Sequence, residues 1–498
     1  MKICAIEHRK NKKDSKMRKR FEQQFKIGFK LISETEIPLK SRDDVPALAI
    51  ALLKIYTTPE YNQQIYSIIE NKVLYNKKCT GREGLNLWQI FVLAEFRLAL
   101  NIDYDRLHYM ANYDSMLRQL LGIETETGFE KIEIGYQRIL DNVGLLDDKT
   151  VKELNDVIVS LGHDTLKKKG TEVLDLKTDS FVVESNVHFP TDYNLLLDAL
   201  RKAYSTIEKF LEKYPSIEGW RKNYDWFKSL KNLSRSLGKA SSSAGKNKET
   251  REKYAANQYL KKAIAFKNKL ETSKVKLIIA DMQDLGNIIS LERFISLINK
   301  HIDLVERRLI KGEKIPHEEK IFSIFEEYTE WITKGKQNPS VELGKKIAIT
   351  TDQYHLIIDY RIMEKESDSE IVLPLVISIL NNYKVNHWSF DKGFYHKCNK
   401  ELLKEEVSKL IMPKKGKCNQ EEKIEEKDKK FIRFRQKHSA IESNINELEF
   451  CGLDRCPDRG YEHFKRYVGL AVCAYNLKRI GRKLLEVARA EQLQKTAA

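Results

Sequence analysis

The sequence predicts a mixed α/β protein, and three observations carry that expectation. Apolar residues recur at helical spacing through most of the first 170 residues and again over 193–338. The period falls to two at 173–189, 345–363 and 384–391, as in strands that bury one face. A final helical pair over 435–450 and 459–488 closes the chain. One strand, a long helical stretch and then further strands imply a sheet interrupted after its first strand by a helical insertion.

In chain order, the basic run Arg9 to Arg20 comes first, suited to lying along phosphates or to being a solvated tail. Residues 86–122 then read as three short helices, with Asn101-Ile102-Asp103 and Asn112-Tyr113-Asp114 as breaks and caps. Such a bundle is compatible with a helix-turn-helix-like DNA reader, although many three-helix bundles bind nothing. At 173–189, Phe181, Val183, Val187 and Phe189 share one strand face, and Glu184, Asn186 and His188 the other. Carried backwards, the alternation puts Asp179 on the apolar face. A carboxylate there needs a partner, a hydrogen bond or a metal, unless a bulge turns it to solvent.

In the helical stretch, Phe210, Trp220, Tyr224, Trp226 and Phe227 are interleaved with Lys213, Arg221, Lys222, Lys228 and Lys231. The rings are expected to form a helical core, and the lysines of the loop LGKASSSAGKNKETREK to face DNA. Residues 345–363 read as two antiparallel strands turning near Thr351-Asp352-Gln353. A helix follows, SEIVLPLVISILNNY, and then a strand ending at Asp391-Lys392-Gly393-Phe394, where α/β folds commonly place chemistry. In the penultimate helix Ile441, Ile445 and Leu448 form an apolar stripe, with Glu442 at its edge beside His438 and Asn446.

Composition narrows the function. A length of 498 residues suggests roughly three domains. With 41% hydrophobic and 32% charged residues the chain can bury a core, and its mean hydropathy is −0.51. No stretch approaches the ~20 apolar residues of a membrane span, and no apolar segment follows the charged N-terminus. Export and membrane insertion are therefore not expected. Seven scattered cysteines (Cys4, Cys79, Cys398, Cys418, Cys451, Cys456 and Cys473) read as reduced thiols. The net charge of +16 suggests a polyanionic partner, nucleic acid first, or a solvated lysine-rich surface. The pattern GxxxxGK[ST] is absent, so nucleotide-driven chemistry is not expected. Cys451 and Cys456 with His396 and Cys398 have zinc-binding residue types at unusual spacing, and buried thiols are the stronger expectation.

Three carboxylates stand out: Asp179 on a first strand, Asp391 at the end of a later strand and Glu442 on a helix. The strings DSFVVESNVHFPTDYNLLLDALR (179–201), HEEKIFSIFEEYTEWITKGKQNPSVELGKK (317–346), SFDKGF (389–394), MPKKGK (412–417) and 438–481 resemble bacterial insertion-sequence transposases. The ISNCY group of the DDE superfamily is the nearest in kind. GREGLNLWQIFVLAEFRLALNIDYDRL (81–107) is similar to the N-terminal domain of the same group.

The resemblance implies an RNase H-like catalytic core with a large all-helical insertion between its first and second strands, plus a helical N-terminal DNA-binding region. The expected organisation is an N-terminal region over 1–170 and a catalytic domain over 171–192 and 341–480. An insertion domain over 193–340 and a C-terminal helical tail over 481–498 complete it. It further implies Asp179, Asp391 and Glu442 as catalytic and metal-holding residues. Two Mg²⁺ ions are expected, with Mn²⁺ able to substitute.

Lys334, Lys336, Lys345, Lys346, Lys392, Lys414, Lys415 and His438 are candidates for DNA contacts. His438 has a structural role as its alternative, and His188 and Asp192 are expected to shape the turn after the first strand. The partners would be double-stranded DNA, both terminal inverted repeats and target, and a second copy in a dimer or larger synaptic complex. The expected location is the cytoplasm, with the nucleoid. The Tyr-x-x-Arg-x-x-x-Glu pattern of cut-and-paste relatives is missing, with Arg435 and His438 in its place. Two other readings compete: a transposon-derived DNA-binding protein without catalysis, and an RNase H-like nuclease without strand transfer.

Overall fold

The computed structural model describes residues 18–21, 27–74, 84–167, 173–215, 217, 220, 222–333 and 340–497. It comprises two compact units, residues 1–186 with 332–498, and residues 187–331. The fold is mixed α/β, with a mostly helical N-terminal region and a mixed sheet.

In the first unit, helices α1 (Asp44–Thr57), α2 (Pro59–Val73), α3 (Leu87–Ala99), α4 (Tyr104–Tyr113), α5 (Ser115–Leu120), α6 (Tyr136–Val143) and α7 (Asp148–Leu166) precede strand β1 (Leu174–Ser185). The starts of these helices are written in short polar side chains. Asn86 and Gln89 form a reciprocal capping box at α3, and Asp103 and Asp114 accept from Arg106 N and Leu117 N at α4 and α5. Helix α3 is buried on every side, Glu95 and Arg97 included, so it has no free face to offer a groove. Arg97 is paired with Asp458, whereas burial pushes the Glu95 carboxyl, which has no hydrogen-bond partner among the described residues, well above the usual carboxylate range.

The second unit holds α8 (Asp192–Lys213), α9 (Asn223–Ser242), α10 (Lys248–Lys274) and α11 (Met282–Val305). Its own core includes Leu196, Leu200, Leu237, Phe266 and Ile298. Phe210 and Trp220 are buried, as expected of core rings, but Tyr224 is exposed. Helical spacing does not persist to 338. After a π-helical turn at Glu306–Ile310 the chain becomes largely irregular and leads into strand β2 (Glu330–Thr333), which spans the boundary after Trp331.

The remaining strands are β3 (Val341–Thr351), β4 (Ile357–Ile362), β5 (Val385–Phe390), β6 (Lys409–Ile411) and β7 (Arg455–Cys456), with α12 (Val372–Leu380) before β5. Helix α13 (Lys397–Glu406) precedes β6. The sheet order is β2-β3-β1-β5-β6, with β4 also on β3 and β7 also on β1. β3 runs antiparallel to β1 and β4, while β5 and β7 run parallel to β1, and β6 parallel to β5. Gly344 allows the close β1–β3 approach, because a Cβ there would lie 1.9 Å from Val183 O. Leu174, Leu176, Trp388 and Phe390 pack with Val372, Leu375 and Leu403 of α12 and α13 in one core.

Strand β1 ends at Ser185, not 189. Phe189 is exposed and meets Trp331 edge-on, because Pro190 cannot extend a ladder and Thr191 caps α8. The expected helix over 435–450 is also divided. α14 (Gln420–Lys427) and α15 (Lys429–His438) precede a break at Ser439, and α16 (Ala440–Leu448) follows. A π turn at Glu449–Leu453 ends α16, with Gly452 at φ +96. α17 (Tyr461–Ala497) then packs on α1, α3 and α7, and residues 481–497 continue that helix.

Candidate active site

β5 pairs with β1 as far as Phe390 opposite Thr178. Where that pairing stops, β1 presents Asp179 and the chain leaving β5 presents Asp391. Asp391 is exposed, next to a short 3₁₀ turn at Lys392–Phe394. Glu442 is exposed in the first turn of α16, a helix that rests against β1 through its buried Ile441 side.

These acids share one electrostatic neighbourhood. Burial raises the Asp179 carboxyl to about 6, and the charges of Asp391, Asp368 and Glu442 push the same way. The opposing influence is the Ser180 backbone N–H, which donates to Asp179 Oδ1 at 2.7 Å.

Asp368 was not singled out by the sequence. It stands before α12, accepts from Ser180 Oγ at 2.7 Å and from Lys346 Nζ at 2.6 Å, and lies against Gly393, where a Cβ would be 2.7 Å from its Oδ2. Nothing in EKESDSE (364–370) distinguishes it from a solvated acidic turn; only the tertiary contacts with β1, β3 and the Asp391 turn do so.

The oxygen donors of Asp179, Asp391 and Glu442 suit a hard divalent cation, which commonly takes few protein carboxylates and completes its shell with water and phosphate. Among the described residues no three His, Cys, Asp or Glu side chains are close enough to cage one ion. Cys451 and Cys456 are buried and Cys398 is exposed.

His438 and Glu442 lie on successive helices rather than one helix face. His438 Nδ1 is 2.9 Å from Ser389 Oγ, and its buried Nε2 has no partner among the described residues. Burial lowers the imidazole to about 4, against the pull of Asp391, so the ring is neutral at pH 7. His188 pairs with Asp198, and Asp192 with Arg308.

Of the candidate lysines, Lys392 and Lys415 are exposed, and Lys346 and Lys414 are paired with Asp368 and Glu422. Lys345 is buried beneath the Tyr461 ring, and Lys334 and Lys336 lie outside the described residues.

Residues 307–477 match the family described as the transposase DDE domain. The match includes Asp391 and Glu442 and begins after Asp179. It supports a DDE transposase, a class that acts on DNA. No curated protein and no solved structure matches the chain.

Proposed function

We propose that this chain is an insertion-sequence transposase of the ISNCY type, cutting and joining DNA with Asp179, Asp391 and Glu442. The observation that supports the reading is that the charges of Asp391 and Glu442 both act on Asp179, beside the point where β5 leaves β1. Sheet order supports an RNase H-like core. Omitting the short β2 and β7, the five strands run third-second-first-fourth-fifth, with only the second antiparallel to its neighbours.

Asp179, Asp391 and Glu442 would hold two divalent cations. Such cations, when bound, supply an activated oxygen nucleophile and stabilise charge on the leaving oxygen. The chain's own groups prepare the place. The Ser180 N–H fixes one Asp179 oxygen, Asp368 anchors Lys346 of the neighbouring strand β3, and exposed Lys392 follows Asp391 where a phosphate would approach. First water, then the freed 3′-OH, would attack a phosphodiester in line. The substrates would be element ends and target DNA, synapsed by a dimer or larger assembly on the nucleoid in the bacterial cytoplasm.

The test is a gel assay on labelled element-end duplex with Mg²⁺. Cleavage and joining are expected, with both falling at least about 100-fold in Asp391→Ala, more than the loss of an outer-shell partner causes. Binding without cleavage would identify an inactive DNA-binding protein, and cleavage without joined product a nuclease. Normal cleavage by Asp391→Ala would remove the triad assignment.

A further inference from the structure

Beneath α15 and α16, on the Asp179 face of the sheet, lies a cavity of about 270 Å³ bordered by Asp175, Lys177, His355, His387, Phe434 and Lys437. A water's share of liquid is ~30 Å³, so a phosphate and several waters fit. Lys177 lies two residues before Asp179, so alternation puts both side chains on one face, ~7 Å apart along the strand.

The carboxylates that act on Lys177, Asp352 and Asp175, are already engaged. Asp175 Oδ1 is 2.7 Å from His387 Nδ1, and Asp352 Oδ2 is 2.8 Å from His163 Nε2. Lys177 itself forms no ion pair or hydrogen bond among the described residues. A half-buried ammonium without an anion is costly unless something supplies one. Lys437 adds a second positive charge at the rim.

The wall is also held in an unfavourable shape. His355 has φ +66 although it carries a side chain. It is fixed there by Asp352 Oδ1, which accepts from Tyr354 N and Leu356 N at 2.8 and 2.9 Å. Tyr475 Oη also donates to His355 O at 3.0 Å.

We propose that this cavity is a phosphate site in which Lys177, with Lys437 at the rim, receives a DNA phosphate neighbouring the one placed at Asp179. The proposal rests on the transposase reading and adds a substrate-binding residue to it.

The test is fluorescence anisotropy of a labelled duplex bound by the full chain over a salt series. Ca²⁺ serves as the oxygen-seeking cation. Lys177→Met is expected to reduce the magnitude of the slope of log affinity against log salt by ~0.9 and to weaken binding about five- to tenfold at ~0.1 M salt. Lys177→Arg should retain both. Thermal melting separates binding from packing, because methionine keeps the apolar stem and removes an ammonium that makes no hydrogen bond or ion pair among the described residues. The Met variant should melt no lower than wild type.

Wild-type affinity and slope in Lys177→Met would overturn the site while leaving the transposase reading intact. So would a loss of affinity that tracks a lowered melting temperature. A wild-type chain that binds no duplex would overturn the transposase reading, and the phosphate site with it.

Discussion

At the scale of the residue, Asp179 bears an electrostatic cost. A free aspartate titrates at ~3.9, and partial burial pushes this one up to about 6, with three further carboxylates acting the same way. The folded state thus holds the proton more tightly than the unfolded chain. The stability this supplies is complete below pH ~4 and is lost as pH rises to about 6. Above that the ionised carboxylate carries a penalty of about 2–3 kcal/mol. In chelator, Asp179→Asn is therefore expected to melt a few degrees higher than wild type at pH 7.5, with the gap closing near pH 4. Mg²⁺ should raise the wild-type melting temperature above pH 6, progressively less below it, and should leave Asp179→Asn nearly unmoved. Calorimetry across pH 4–8 reads both effects, and a variant melting below wild type at pH 7.5 would refute the electrostatic account. Asp179 was legible because strand alternation points it at an apolar face. Asp391 was legible because it ends a strand beside a glycine. Lys177 was not, since a lysine in a strand carries no sign that both nearby acids are committed to histidines.

At the scale of the element, close approaches of backbone decide where glycine is required. α17 crosses α1 at Gly481, where a Cβ would lie 1.7 Å from Ala47 O. A carbonyl in a buried helix cannot swing aside as a side-chain end can. Gly481→Ala should cost about 3 kcal/mol or more, as overpacking does when neither side yields, despite alanine's better helix propensity. Urea unfolding would show it as a lower midpoint at unchanged slope, and a stabilised variant would mean that the helices slide apart freely. Periodicity located β1, β3, β4 and β5 because each is long enough to alternate or to run apolar. β2, β6 and β7, at four, three and two residues, are too short to show a period. The break between α15 and α16 was hidden for another reason: HSAIES contains neither proline nor glycine, and Ser439 stays in helical φ/ψ while ending one helix and opening the next. The β1 terminus was misplaced because Val187 and Phe189 continue the alternation after pairing has stopped.

At the scale of the whole molecule, the chain divides its work between two cores. The core of residues 187–331 is built from its own residues, from Leu195 on α8 to Ile324 after α11, and it has internal polar anchors as well. Trp220 Nε1 donates to Ser273 Oγ at 2.9 Å, and Lys213 and Tyr214 both reach Asp284, at 2.7 and 2.6 Å. A helical unit of this size, with buried Phe266, Tyr259 and Trp220, has enough apolar area to fold without a sheet beside it. Residues 187–331 produced alone should therefore give a helical circular-dichroism spectrum and a single cooperative urea transition. Trp220→Ala should lower its midpoint by the equivalent of about 3–5 kcal/mol, the usual cost of deleting a buried tryptophan. The same substitution in the full chain should weaken this unit alone. Mg²⁺-dependent stabilisation, which the proposed function assigns to Asp179, Asp391 and Glu442 in the other unit, should keep its midpoint. Loss of that metal response in Trp220→Ala would show that the two cores unfold as one and would refute the division.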